Sequence, residues 1–175
     1  MNSSLTPKDF FKYCPKCGVK YRPEDIADNC LHCWQCGYSF YQNPKATVGV
    51  LIVNTKLQVL LARRAKEPDK GTWGPPGGFV DWGEDPVAAI KREIREEMHV
   101  EFTPLKLLTA VHSWYHFGGL KTSVLLLAYR GTIEGDIKAD DDVDALEWFP
   151  LDNLPPNLAF PNFRNVLEDL RKDLK

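Results

Sequence analysis

A mixed α+β core, an α/β/α sandwich with helices covering its sheets on both sides and a small cysteine-stapled module ahead of it, is the fold class this 175-residue chain predicts. Three observations carry it. Two β-branched and leucine-rich runs, 46–53 and 57–62, open the core, and more strand-like runs follow an amphipathic helical segment that starts at Pro86. A second helical pattern closes the chain near 162–174. Ahead of residue 44 that strand texture is missing, and four of the five cysteines stand in two C-x2-C-G pairs. The expected division is therefore 1–43 for the cysteine module and 44–175 for the α+β domain.

In chain order the cysteines come first. Cys14-Pro-Lys-Cys17-Gly and Cys33-Trp-Gln-Cys36-Gly are knuckles 15 residues apart, the spacing of a four-thiolate zinc ribbon. Glycine after each pair lets the backbone turn so that amides point at the thiolates. Cys30-Leu-His-Cys33 overlaps as another C-x2-C, but Gly37 repeats the place of Gly18 and favours Cys33 with Cys36. The expected Zn²⁺ ligands are Cys14, Cys17, Cys33 and Cys36, with Cys30 and His32 left out. Four thiolates leave no open coordination position, so this Zn²⁺ is structural rather than catalytic. An odd cysteine count and no opening signal peptide argue against a disulfide framework and for an intracellular, cytoplasmic setting. Residues 1–45 hold Lys8, Lys12, Lys16, Lys20, Arg22 and Lys45 against Asp9, Glu24, Asp25 and Asp28. So slight a positive excess is not the footprint of a nucleic-acid binder. A metal staple that lets ~40 residues fold with almost no core is the expected role.

The core elements follow. Runs 46–53 and 57–62 flank Asn54-Thr-Lys56 and predict a hairpin, and a short strand is expected at 77–80. Asp85 before Pro86 is a good N-cap and first helical position, because the aspartate accepts from free amides and proline has none to lose. Val87, Ile90, Ile94 and Met98 then mark one apolar stripe. Strands near 105–113, 122–130 and 146–149 precede the closing helix. With 43 % hydrophobic residues there is material for one core plus an accessory module. A net charge of -2 argues against a life on phosphate backbones or anionic membranes, and no apolar run approaches the ~20 residues that cross a bilayer.

Chemistry concentrates in the helix. Glu93, Glu96 and Glu97 fall three and four residues apart, on a face away from the stripe, with neighbouring Cβ atoms roughly 5 to 6 Å apart. Clustered carboxylates repel unless a cation sits among them, and an oxygen-only donor set suits Mg²⁺ or Mn²⁺. Arg92 is placed to pair with Glu96 one turn on, and Arg95 to offset some of the remaining charge.

The pattern G-x5-E-x7-R-E-U-x-E-E-x-G-U, with U apolar, is met by Gly78, Glu84, Arg92, Glu93, Ile94, Glu96, Glu97 and Val100. Here the chain resembles the Nudix hydrolases. His99 replaces the family's glycine, which would supply a left-handed cap; a cost of ~1 kcal/mol is expected, with the metal chemistry intact. The resemblance implies an α/β/α sandwich and hydrolysis of a diphosphate joined to a nucleoside. It implies that Glu93, Glu96 and Glu97 hold Mg²⁺ or Mn²⁺ with the Gly78 carbonyl, that Arg92 orients the carboxylates, and that Glu84 closes the loop-helix element. A general base would be Glu96, Glu97 or a carboxylate of the downstream run Asp140, Asp141, Asp142 and Asp144.

A zinc ribbon joined to a Nudix box is similar to NADH pyrophosphatases, but their S-Q-P-W-P-F-P-like array after the box is missing. Tyr41-Gln-Asn-Pro-Lys45, Trp148-Phe-Pro-Leu-Asp-Asn-Leu-Pro155 and Leu158-Ala-Phe160 are similar to zinc-ribbon Nudix enzymes that include plant FAD and ADP-ribose pyrophosphatases. The implied substrate is FAD, ADP-ribose or a like small nucleotide, split to AMP and a second monophosphate. NADH, a cap on RNA, or a ligand-sensing module without turnover are the alternatives; retention of every box acid favours an enzyme. Arg63 and Arg64 are candidate phosphate clamps, since a guanidinium offers paired donors to oxyanions. Trp73 and Tyr115 are candidate substrate contacts, with Trp82, Trp114, Phe117 and Phe160 as further aromatics for stacking. His112 and His116, two either side of Trp114, are read as loop or strand residues. Family analogy alone suggests a homodimer.

Overall fold

The structure, a computed structural model, describes residues 11–27, 29–117 and 120–175. The chain forms two compact units, Met1–Pro44 with Trp114–Ser123, and Lys45–Ser113 with Val124–Lys175.

In the first unit each C-x2-C-G sequence folds into the same turn. The amides of Gly18 and Gly37 donate to the carbonyls of Cys14 and Cys33, both at 2.9 Å, and both glycines have positive φ, 74° and 69°. That left-handed step is where glycine costs least, so the sequence signal has a backbone cause. Strand β1 (Cys30–His32) pairs antiparallel with β2 (Ser39–Tyr41) through Leu31 opposite Phe40. A short 3-10 turn, Pro23–Asp25, is closed by Asp25, which accepts from the Arg22 amide at 2.7 Å and its guanidinium at 2.9 Å. The interior is small: Cys14, Tyr21, Leu31 and Cys33, with Val19, Ile26 and Phe40 against them.

The second unit is built on β3 (Lys45–Ile52), β4 (Gln58–Arg64), β5 (Trp73–Gly74), all of β6 (Glu101–Phe117) and β7 (Leu120–Glu134) outside Trp114–Ser123, and β8 (Val143–Pro150). Its helices are α1 (Pro86–Met98) and α2 (Phe163–Asp173). One sheet has the order β3-β7-β6 and the other β5-β4-β8. Successive strand residues point to opposite faces, and the two faces have different covers. Val48, Val50 and Ile52 of β3 and Leu60 of β4 pack with Ala89, Ile90, Ile94 and Met98 of α1. Leu51, Val59 and Leu61 pack instead with Phe163, Val166, Leu167 and Leu170 of α2. This is the α/β/α sandwich expected from the sequence.

Two expectations are corrected. The hairpin of 46–53 with 57–62 does not form: the Asn54 turn is present, but the strands it joins enter different sheets. β3 runs parallel to β7, with Val50 opposite Tyr129, while β4 runs antiparallel to β8. Near-continuous burial of β3 from Val48 to Ile52 explains why: a strand covered on both faces belongs inside a sheet with helices on either side. Residues 77–80 make no full strand. They run beside β3 as an irregular segment with one bridge, Thr47 to Phe79, while the regular pairing comes earlier at β5.

Candidate active site

Three backbone bonds lay the segment before α1 along β3: Val50 N–H to Pro76 O at 2.9 Å, Val48 N–H to Gly78 O at 2.8 Å and Val80 N–H to Ala46 O at 3.1 Å. They bring Gly77 and Gly78 against the helix. Gly77 has φ +132°, and a Cβ there would meet Val48 O at 2.3 Å; a Cβ on Gly78 would meet the Glu93 carboxylate at 2.5 Å. At Gly77, where the clash is with backbone, only glycine permits the approach; at Gly78 a side chain would displace the Glu93 carboxylate. The Gly78 carbonyl keeps one lone pair beyond its bond to Val48.

The helix starts as expected, with Asp85 Oδ1 accepting from Val87 N–H at 2.8 Å and Pro86 in the first turn. The three glutamates of α1 are buried to different depths. Glu96 has a side chain 47 % exposed, Glu93 one of 16 %, and Glu97 is 4 % exposed at the edge of the apolar stripe. Glu97 Oε2 accepts from Gly77 N–H at 2.8 Å. Burial pushes the Glu97 pKa well up; the Gly77 amide opposes that, and the Asp142 and Glu93 charges add to it. Burial also raises Glu93, opposed by Arg92.

Arg92 is the hub. Its Nη1 donates to Glu93 at 2.8 Å and to Glu96 at 3.2 Å, its Nη2 to Phe79 O at 3.1 Å and Glu84 at 2.8 Å, and its Nε to Glu84 at 3.0 Å. Glu84 also accepts from the Asp81 amide at 3.0 Å. The guanidinium first, then that amide, pull Glu84 from its ordinary 4.5 to about 2. Arg95 turns away to Glu101 at 2.8 Å, and Arg92 is the guanidinium that meets the charge Arg95 was expected to offset. A depressed carboxylate stabilises the fold above its unfolded pKa and loses that contribution as pH falls through its folded one. Glu84→Gln is therefore expected to lower stability at neutral pH, with the difference from wild type shrinking between pH 4.5 and pH 2 in urea unfolding.

One more acid joins the cluster. The amides of Lys138 and Asp140 donate to Met98 O at 3.1 Å and Glu97 O at 3.0 Å, ending α1 and bringing Asp142 near enough for its charge to raise the Glu97 pKa. Of the downstream acids, Asp142 faces the glutamates; Asp140 meets His99 at 2.8 Å, Asp141 Lys66 at 2.8 Å and Asp144 Arg63 at 2.6 Å. Glu93 and Glu97, both raised by burial and by neighbouring carboxylate charge, are groups whose ionised forms a divalent cation would favour.

The other candidates scatter. Arg63 lies over the Trp73 ring at 5.6 Å, and Trp73 is a 7 % exposed core residue edge-on to Phe149. Arg64 Nε donates to Pro68 O at 2.9 Å and lies over Phe160. Tyr115 belongs to the first unit, and Phe117 has a side chain outside the described residues. In the same unit Cys14, Cys17, Cys33 and Cys36 gather, all four sulfurs within 4.8 Å, with Cys14 to Cys36 at 3.8 Å and Cys17 to Cys33 at 3.6 Å. Four thiolates about 2.3 Å from one ion would be about 3.8 Å apart, so the cluster fits a zinc ribbon. Cys30 stays outside it.

Comparison with known proteins adds to this geometry. The profile described as NUDIX domain matches residues 43–170. The NAD-capped RNA hydrolase NudC of Pseudomonas aeruginosa is 28 % identical over 91 % of this chain and 55 % of its own length. The ADP-ribose pyrophosphatase of Methanocaldococcus jannaschii is 33 % identical over 77 % of this chain and 78 % of its own. The chain thus spans about half of the first relative and most of the second. A solved MutT NUDIX hydrolase from Burkholderia pseudomallei superposes with a TM-score of 0.65 at 32 % identity, over 73 % of this chain and 98 % of that one.

Proposed function

Because this chain belongs to the Nudix family, we propose that it is a Mg²⁺- or Mn²⁺-dependent pyrophosphohydrolase that splits ADP-ribose or FAD into AMP and a second monophosphate. The observation that carries this reading is the buried-to-exposed row of Glu97, Glu93 and Glu96 around Gly77–Gly78, completed by Asp142 and set by Arg92.

Glu93, Glu96, Glu97, Asp142 and the Gly78 carbonyl are the groups that would hold the cations. When bound, such cations would neutralise charge on a diphosphate and lower the pKa of a bound water. Glu97, buried and fixed by the Gly77 amide, orients the cluster from below. Arg92 fixes Glu93 and Glu96, and Glu84 in turn fixes Arg92. Glu96, the most exposed of the three, is the carboxylate placed to take the proton of an attacking water. Arg63 and Arg64 are proposed to meet phosphate oxygens, with Trp73 shaping the wall behind Arg63. In the first unit Cys14, Cys17, Cys33 and Cys36 are proposed to hold one structural Zn²⁺, in a reducing, intracellular setting that keeps them thiolates.

A second reading, hydrolysis of an NAD cap on RNA, is favoured by the Pseudomonas relative, whose match takes in 91 % of this chain. Chromatography of products after incubation with Mg²⁺ and ADP-ribose, FAD, NADH, Ap4A or NAD-capped RNA separates the two. AMP forming fastest from ADP-ribose or FAD is the expected result; preference for the capped RNA supports the second reading. Tight binding of one compound with turnover of none would make the chain a sensor.

A further inference from the structure

We infer that His99 is a positioning residue whose imidazole ties the loop 138–142 to the end of α1 and so presents Asp142 to Glu97; this rests on the proposed metal-dependent hydrolysis. The position is a costly one for a side chain. His99 caps α1 in the left-handed region, φ 58° and ψ 28°, with its amide on Arg95 O at 3.1 Å, and glycine would make that cap without strain. The imidazole that occupies it reaches across the loop, Nε2 to Asp140 Oδ2 at 2.8 Å.

Asp140 is where that loop is fastened. Its amide donates to Glu97 O at 3.0 Å, its Oδ1 accepts from Asp141 N–H at 2.8 Å and its carbonyl from Val143 N–H at 3.1 Å. Asp142 lies between those last two contacts, and its own carbonyl accepts from Ala65 N–H at 2.7 Å. The loop is thus held by α1 on one side and by the end of β4 on the other. The imidazole is the side-chain element on the α1 side, and the carboxylate it steadies against Glu97 is the one that must stay there against like charge. The His99 and Asp140 side chains are 48 % and 55 % exposed, so the tie is worth at most about a fivefold shift in the docked population.

The test uses the full chain and Mn²⁺ as probe, followed by electron paramagnetic resonance, together with steady-state kinetics on ADP-ribose and thermal melting. His99→Gly is expected to melt at or above wild type, yet to bind Mn²⁺ two- to fivefold more weakly and to lose kcat with KM unchanged. His99→Asn, which tolerates the left-handed cap but is too short to reach Asp140, should match it. Asp140→Ala should reproduce the loss, and the His99→Gly/Asp140→Ala double variant should add nothing further. An active wild type whose Mn²⁺ affinity and kcat survive His99→Gly would overturn the tie alone. Wild type that neither binds Mn²⁺ nor turns over any nucleotide would overturn the tie and the proposed function together.

Discussion

Glutamine at position 97 is expected to lower turnover about 1,000-fold, about 4 kcal/mol of barrier, while the metal-free protein becomes no less stable and gains at higher pH. The two halves share one cause. Glu97 is 4 % exposed and burial raises its pKa well above the ordinary carboxylate range. A raised folded pKa means that ionisation works against the fold: stability of the metal-free wild type falls as pH rises above about 4.3, the unfolded value, and continues to fall up to the folded pKa. Glutamine keeps the oxygen that accepts from Gly77 and removes the charge that burial penalises, so that fall should shrink in Glu97→Gln. The same substitution removes the most deeply set anion of the cluster. Melting curves from pH 4 to pH 9, with and without Mg²⁺, check both: Mg²⁺ should raise the wild-type midpoint increasingly with pH and leave the variant unmoved. Full activity in the glutamine variant would remove Glu97 from the site.

The second large effect lies in the first unit. Cys33→Ser is expected to abolish zinc binding and the folding of residues 11–44, because that unit has little else. Among the described residues its buried apolar side chains are Cys14, Tyr21, Leu31 and Cys33, two of which would be metal ligands rather than core. A structural Zn²⁺ contributes about 10–16 kcal/mol, which a core that small does not supply. Wild type should release one zinc per chain to a chromogenic chelator, and Cys33→Ser none, with proteolysis cutting ahead of Pro44 in the variant. Cys30→Ser should keep the zinc. Unchanged protease resistance in the zinc-free Cys33 variant would contradict the assignment.

What could be read from the sequence was what is local. The knuckles were legible because each is a single turn closed within five residues, and their glycines have the positive φ that the motif requires. The Asp85 cap and the left-handed His99 were legible for the same reason. The pairing of β3 was not: its partner β7 lies some 80 residues on, and the Asn54 turn looks alike whether it joins neighbours in one sheet or two strands of different sheets. The spacing of the three glutamates did not give the depth of Glu97, although it is three residues after Ile94 and next to Met98, on the margin of the stripe. That margin was the signal available. Which of the downstream acids meets the glutamates depends on the bond from Asp140 N–H to Glu97 O, a contact across 43 residues that no spacing announces.

Crystals soaked with Mn²⁺ and ADP-ribose, with anomalous scattering recorded at the manganese edge, test the central claim most directly. The account predicts anomalous peaks within about 2.2 Å of carboxylate oxygens of Glu93, Glu96 and Glu97 and of the Gly78 carbonyl, against the diphosphate of the nucleotide. Manganese bound elsewhere, with those carboxylates touching neither metal nor substrate, would contradict it.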